Sequence, residues 1–187
     1  IFSLGAGVDH ILKLPSYKNT PIIRIQDPNM RSRMFNHVLA QILIYQLKLT
    51  EYNKAQQKNI WLDDRHTSLN KNLTIGVLGV GYLGKFIANK LKSLDYNVIG
   101  YKNTISAAKY SIPIYYKKSL KTFLKLSDII VSVLPATKET RDLINKSFLN
   151  QMKKKSLLIN IGRGSSLNEM DLLKHIKQNN FFFASLD

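Results

Sequence analysis

One stretch constrains the fold more than any other: Val77-Leu-Gly-Val-Gly-Tyr-Leu-Gly-Lys-Phe86 sets Gly79, Gly81 and Gly84 in a G-x-G-x-x-G pattern. The apolar run Leu73–Leu78 comes before it, and Phe86–Leu91 follows at helical spacing. Strand, tight turn and helix start are the context in which this spacing binds a dinucleotide. Gly79 permits a sharp turn off the strand, Gly81 lets backbone approach a pyrophosphate, and Gly84 lets helix and strand pack closely. Tyr82 and Leu83 lie between them, at the helix N-terminus, where free N–H groups and the positive end of the dipole face anions. The alternative for the same residues is a glycine turn with a structural job alone.

Downstream the chain alternates. Apolar strands are expected over Leu73–Leu78, Asn97–Tyr101, Asp128–Val133, Ser156–Ile161 and Phe181–Leu186, with a short one before Tyr115. Helices are expected over Tyr82–Leu94, Ser119–Leu126, around Ser147–Met152, and over Asn168–Lys177, with Asn168 as N-cap. Continuous apolar strands belong to a parallel sheet covered on both faces, and the alternation defines a doubly wound α/β nucleotide domain. Upstream, Ile1–Ser3 and Pro21–Ile25 read as short strands around the turn Leu4–Gly7 and a helix near Val8–Leu12. A long helix over Met30–Leu49 carries two apolar rows, Met34, Val38, Ile42, Tyr45 and Leu49 in one and Leu39, Leu43 and Leu47 in the other. Such a helix is expected to be buried between domains or subunits. Polar Glu51–Asn72, with Trp61, reads as an arm or linker. Residues 1–29 therefore read as the end of a second domain, 30–72 as interdomain helix and arm, and 73–187 as the nucleotide domain.

The chain has 187 residues, begins with Ile and ends on Asp187 directly after an apolar strand, so it reads as a piece of a longer protein. It has no cysteine, hence no disulfide or thiolate chemistry, and the cytoplasm is the expected compartment. No apolar run is long enough to span a bilayer, and no metal-ligand pattern is present. Net charge is +16, but the lysines are scattered and no recognition helix or basic–aromatic stripe accompanies them. A solvated lysine-rich surface is preferred to a nucleic-acid module, while the positive field still favours anionic ligands.

Two further places carry chemistry. At the end of the second strand of such a fold an acidic residue normally grips the ribose of NAD. Here Val98–Tyr101 runs into Lys102 and Asn103, without a carboxylate to repel a 2′-phosphate. This favours NADP(H), with NAD the alternative. Asn160-Ile-Gly-Arg-Gly164 follows the strand Leu157–Ile159, placing Arg163 where ligands bind, outside the carboxyl ends of the strands. Its guanidinium can clamp a carboxylate with two hydrogen bonds.

Taken together, these segments resemble the D-isomer-specific 2-hydroxyacid dehydrogenases, most of all the glyoxylate/hydroxypyruvate reductase A subgroup. Ser3–Asp9 is similar to that family's substrate-carboxylate loop, Val133–Ile144 to its segment beside the adenosine, Asn160–Gly164 to its catalytic-arginine motif, and Ser185–Asp187 to the start of its L-D-V-F stretch. The resemblance implies a Rossmann-like nucleotide domain with a remnant of a flavodoxin-like substrate domain, and NAD(P)H-dependent reduction of a small 2-oxo acid in a homodimer. It implies that Gly5, Ala6 and Gly7 bind the substrate carboxylate and that Leu134 and Pro135 flank the adenosine. Ile161 and Asp187 would hold the nicotinamide end, and Arg163 would bind and polarise the 2-oxo acid. The family's proton-donating His and its partner Glu lie beyond the L-D-V-F stretch, and His10, His37, His66 and His175 match neither position. His175 is expected to be exposed on its helix. A homologue that binds dinucleotide without turnover is the alternative.

Overall fold

The structure, a computed structural model, describes residues 1–5, 7–63, 67–105, 107–178 and 183–187. Near the N-terminus β1 (Phe2–Ser3) pairs in parallel with β2 (Ile23–Arg24), and the one-turn helix α1 (Asp9–Leu12) lies between them in sequence.

Helix α2 (Pro28–Gln46) begins earlier than its apolar pattern indicates. Asp27 caps it, accepting from the Asn29 N–H at 2.8 Å, and Pro28 occupies the first turn, where no N–H is required. It also ends earlier, because Lys48 takes a left-handed φ of 53° and turns the chain into a second helix, α3 (Leu49–Gln57). The segment read as an arm from Glu51 is therefore helical in its first part, with Ala55 buried. Of the two apolar rows on α2, Val38 and Ile42 are fully buried, while Leu39 and Leu43 are half-buried and Leu47 is exposed. Gln46 continues the buried row. It accepts from the Tyr96 hydroxyl at 2.6 Å and donates to the Ser68 carbonyl and the Asn70 side chain.

The main sheet is built from β3 (Thr74–Leu78), β4 (Asn97–Lys102), β5 (Ile114–Tyr116), β6 (Ile129–Ser132), β7 (Leu157–Asn160) and β8 (Phe183–Leu186). All are parallel, in the order β5-β4-β3-β6-β7-β8. Helices α4 (Tyr82–Lys92), α5 (Leu120–Leu126), α6 (Lys146–Leu149) and α7 (Glu169–Gln178) fall between strands. This is the doubly wound order, whose direction of winding reverses between β3 and β6.

Alternation along the strands explains why both faces are covered. Ile75 and Val77 of β3, Ile129 and Val131 of β6, and Leu157 and Ile159 of β7 enter one core with Val38 and Ile42 of α2 and Ile87 and Leu91 of α4. Leu78, Ile130 and Leu158 enter the opposite core with Phe123 and Leu124 of α5, Phe148 of α6 and Leu172 of α7. Asn168 caps α7 as anticipated, accepting from the Asp171 N–H at 3.1 Å. Phe181, named in the expected last strand, lies outside the described residues.

Candidate active site

The crevice opens where the winding reverses. Gly79 leaves β3 at a φ of +98°, a backbone state open to glycine, and its N–H donates to the Tyr101 carbonyl at 3.1 Å. A Cβ on Gly84 would sit 2.0 Å from the Gly79 carbonyl oxygen, so α4 can begin this close to β3 only with glycine there. A Cβ on Gly81 would meet nothing within 4 Å. It faces open space in front of the helix start, and no side chain caps α4. An approachable backbone, an uncapped helix N-terminus and a forced turn suit a pyrophosphate. Tyr82 is exposed and Leu83 half-buried on the same first turn.

The loops after β6 and β7 form the other wall. Leu134 is buried and Pro135 exposed. Gly162 packs so tightly on them that a Cβ would lie 2.6 Å from the Leu134 carbonyl oxygen. Sequence reasoning gave Gly162 no such duty, although a glycine just before the arginine was the available signal. Ile161 is buried beneath the crevice, and exposed Asp187 leaves β8 with its N–H donating to the Asn160 carbonyl at 3.0 Å. At the far end Lys102 closes β4, half-buried, and Asn103 beyond it is exposed. The Lys102 ammonium donates to the Tyr110 hydroxyl oxygen at 2.6 Å.

Arg163 is brought against the N-terminal loop, from residues remote in sequence. Its Nε donates to Asp9 Oδ1 at 3.1 Å and its Nη1 to the Gly162 carbonyl at 3.3 Å. Its Nη2 fills the place a Gly7 side chain would take: a Cβ there would be 1.4 Å away. Gly5 lies in the same turn, its N–H donating to Ser3 Oγ at 3.2 Å, while Ala6 lies outside the described residues. The hydrogen bond from Arg163 holds the Asp9 carboxyl below the usual carboxylate range. The ion pair is only partly shielded, with side-chain exposures of 43% for Arg163 and 31% for Asp9, so its value is positional more than energetic.

The structure thus gathers Gly5, Gly7 and Arg163 at one point, and Gly79, Gly81, Tyr82, Leu83, Gly84 and Leu134 along the adjoining crevice. Asp9 escaped sequence reasoning, since an ion pair spanning 154 positions leaves no local pattern. Among the histidines, His10 is exposed, His37 is half-buried on α2, and His66 lies outside the described residues. His175 departs from expectation. It is half-buried, and desolvation pushes its pKa below the usual histidine value. Among the described residues no group of three His, Cys, Asp or Glu is placed to hold a metal ion, and no helix is long and apolar enough to cross a membrane.

A glycine turn at the reversal of a parallel sheet, with an arginine at the adjoining strand end, defines a dinucleotide-binding domain of the dehydrogenase type. The match to known families is narrower. Residues 39–187 match the family described as D-isomer specific 2-hydroxyacid dehydrogenase, NAD binding domain, and the chain belongs to that family. It is 34% identical to a glyoxylate/hydroxypyruvate reductase A of Photorhabdus laumondii and 31% identical to one of Yersinia enterocolitica, covering all of this chain and 61% of each relative. Among solved structures it is similar to an NADPH-dependent glyoxylate/hydroxypyruvate reductase of Sinorhizobium meliloti in complex with NADP and sulfate. That match has a TM-score of 0.91 at 31% identity and covers 100% of this chain and 60% of the other. The chain therefore spans about three-fifths of the length of the relatives it matches.

Proposed function

We propose that this chain carries the nucleotide half and the substrate-binding arginine of a reductase that converts a small 2-oxo acid, glyoxylate or hydroxypyruvate, to its 2-hydroxy acid with NADPH, NADH being the alternative donor. In this reading residues 1–29 close a substrate domain, 30–72 link it, and 73–187 hold the dinucleotide. The protein is a cytoplasmic homodimer that binds neither nucleic acid nor membrane. The observation that carries the reading is the placement of Arg163, pinned by Asp9 against Gly7 beside the glycine turn. Relatives and structural neighbours that reduce glyoxylate and bind NADP support the choice of substrate and cofactor.

Each residue then has a defined task. The Gly79–Gly84 turn and the first N–H groups of α4, at Tyr82 and Leu83, receive the pyrophosphate. Leu134 and Pro135 flank the adenosine, and Lys102 with Asn103 takes the 2′-phosphate. Ile161 and Asp187 orient the nicotinamide, which when bound supplies the hydride. Gly5, Ala6 and Gly7 would offer backbone N–H groups to the substrate carboxylate, the Gly5 N–H exchanging its bond to Ser3 Oγ for it. Arg163 clamps the 2-oxo acid and stabilises negative charge developing on its carbonyl oxygen, which is where fixed donors help most. That oxygen also takes up a proton, assigned by the family resemblance to a His–Glu pair beyond the residues of this chain.

Cofactor choice tests the reading. The protein is expected to bind NADPH more tightly than NADH, and Lys102→Asp should reverse or erase the preference by adding repulsion and restoring a ribose-hydroxyl acceptor. Isothermal titration with both dinucleotides decides it. Tighter binding of NADH by the unsubstituted protein would overturn the assignment.

A further inference from the structure

The residues that follow β4 are fastened to α4 in a way the dinucleotide fold itself does not require. Tyr110 is half-buried against the apolar cluster containing Val98 and Ile112. Its oxygen accepts from the Lys102 ammonium at 2.6 Å, and the same Nζ lies 5.1 Å from the ring centroid. Lys85, in the first turn of α4, brings a second ammonium to 5.8 Å from that centroid. The next residue locks the arrangement. Ser111 Oγ donates to Asn89 Oδ1 at 2.6 Å, and the Ser111 carbonyl accepts from Lys92 Nζ at 2.5 Å.

A lysine on a flexible stem is a poor recognition element unless something fixes it, because its rotamer freedom is lost on binding. A carboxylate could fix it, but would neutralise the charge and repel an incoming phosphate. A phenol fixes it and leaves the charge intact. Among the described residues no carboxylate pairs with Lys102 or Lys85. One ring thus has an ammonium at its hydroxyl edge and a second within 5.8 Å of its centre, and two cations at a neutral ring make a place that favours a phosphate monoester. Lys102 is the last residue of β4 and Lys85 lies in the first turn of α4, the element ends that border the ribose in this fold.

We propose that Tyr110 is a specificity-determining positioning residue for the dinucleotide: its phenol holds Lys102, with Lys85 over the same ring, to receive the 2′-phosphate of the adenosine ribose. This rests on the NADP reading above and adds to it a residue eight positions past the strand end, together with a second cation.

The test uses the 187-residue chain and the small probes 2′,5′-ADP and 5′-AMP, which differ at the phosphate in question, with affinities read by NMR titration. The unsubstituted chain should bind 2′,5′-ADP more tightly than 5′-AMP. Tyr110→Phe keeps the ring and loses only the hydroxyl, so each variant's own ratio of the two affinities is the readout. That ratio should fall about tenfold in Tyr110→Phe, the scale of a hydrogen bond to a charged group. Lys85→Met should lower it independently, and Tyr110→Phe should have little further effect once Lys102 is Met, because the phenol acts through that ammonium. A Tyr110→Phe ratio equal to that of the unsubstituted chain overturns the inference and leaves the NADP reading standing. Equal affinities for both probes in the unsubstituted chain overturn the NADP reading and the inference with it, as does a failure to bind either probe.

Discussion

Gly7 matters for what stands beside it. The requirement there is room for the Arg163 guanidinium. On the proposed function, Arg163→Lys in the full-length protein keeps the charge but loses the planar fork. It should lower kcat/KM for glyoxylate by about 2.7–4 kcal/mol of transition-state stabilisation, with NADPH affinity little changed. Gly7→Ala should reproduce much of that loss, because the added methyl displaces the same guanidinium, and the double variant should be barely worse than either single one. Steady-state kinetics alongside dinucleotide titration checks this. A near-normal lysine variant would remove Arg163 from the chemistry.

Two elements show how packing is tuned beneath the crevice. On β3, a Cβ at Gly76 would lie 2.3 Å from Ser127 Oγ and 2.7 Å from the Phe123 ring. Ser127 is held in place by its bond to the Phe123 carbonyl at 2.8 Å, and Phe123 is wedged against Tyr101 and Tyr115. Gly76→Ala should therefore cost about 1–3 kcal/mol in chemical denaturation, the usual penalty of overpacking. On α7, burial lowers the His175 pKa, so the unfolded chain takes up this proton more readily than the folded one. Stability from this residue is full above the ordinary histidine range and declines as pH falls through it. Denaturation midpoints measured across that range should show the decline, and His175→Gln should remove its share. Most strands and helices from β3 to α7 were legible because the buried strands are largely apolar runs and the longer helices repeat at three and four, while α6 is a single turn displaced from its expected place. Helix α3 was not, since its residues are polar and the break before it depends on one strained residue, Lys48. The dinucleotide turn was legible for the same local reason. The contacts of Asp9 with Arg163, Gly162 with Leu134, and Tyr110 with Lys102 were not, because they join segments whose closeness only the folded sheet decides.

At the scale of the whole molecule, the described surface is uneven. Phe2, Leu4 and Ile23 are exposed around the two-stranded β1–β2 pair, and Trp61 is almost wholly exposed beyond α3. Exposed apolar side chains and the edge strand β8 favour self-association of the isolated chain. Reduction of a 2-oxo acid needs a positioned acid, commonly contributing about 10²–10⁴-fold, and exclusion of water from the site. The purified 187-residue chain is expected to bind dinucleotide weakly and to leave NADPH unoxidised in the presence of glyoxylate. Steady loss of nicotinamide absorbance under those conditions would place the acid within this chain and return attention to His10 or His175.

The link between Asp9 and Arg163 also sets a clock on biosynthesis. The partners are separated by 154 positions, so during translation at roughly 5–20 residues per second the loop bearing Asp9 leaves the ribosome about 8–30 s before its arginine. Through that interval the turn before α1 has no guanidinium to close on, while β1 can already pair with β2. The Asp9 loop, with Phe2 and Leu4 exposed beside it, is thus a segment that depends on chaperone cover through that interval, and the seat proposed for a substrate carboxylate is finished only when a distant part of the chain arrives.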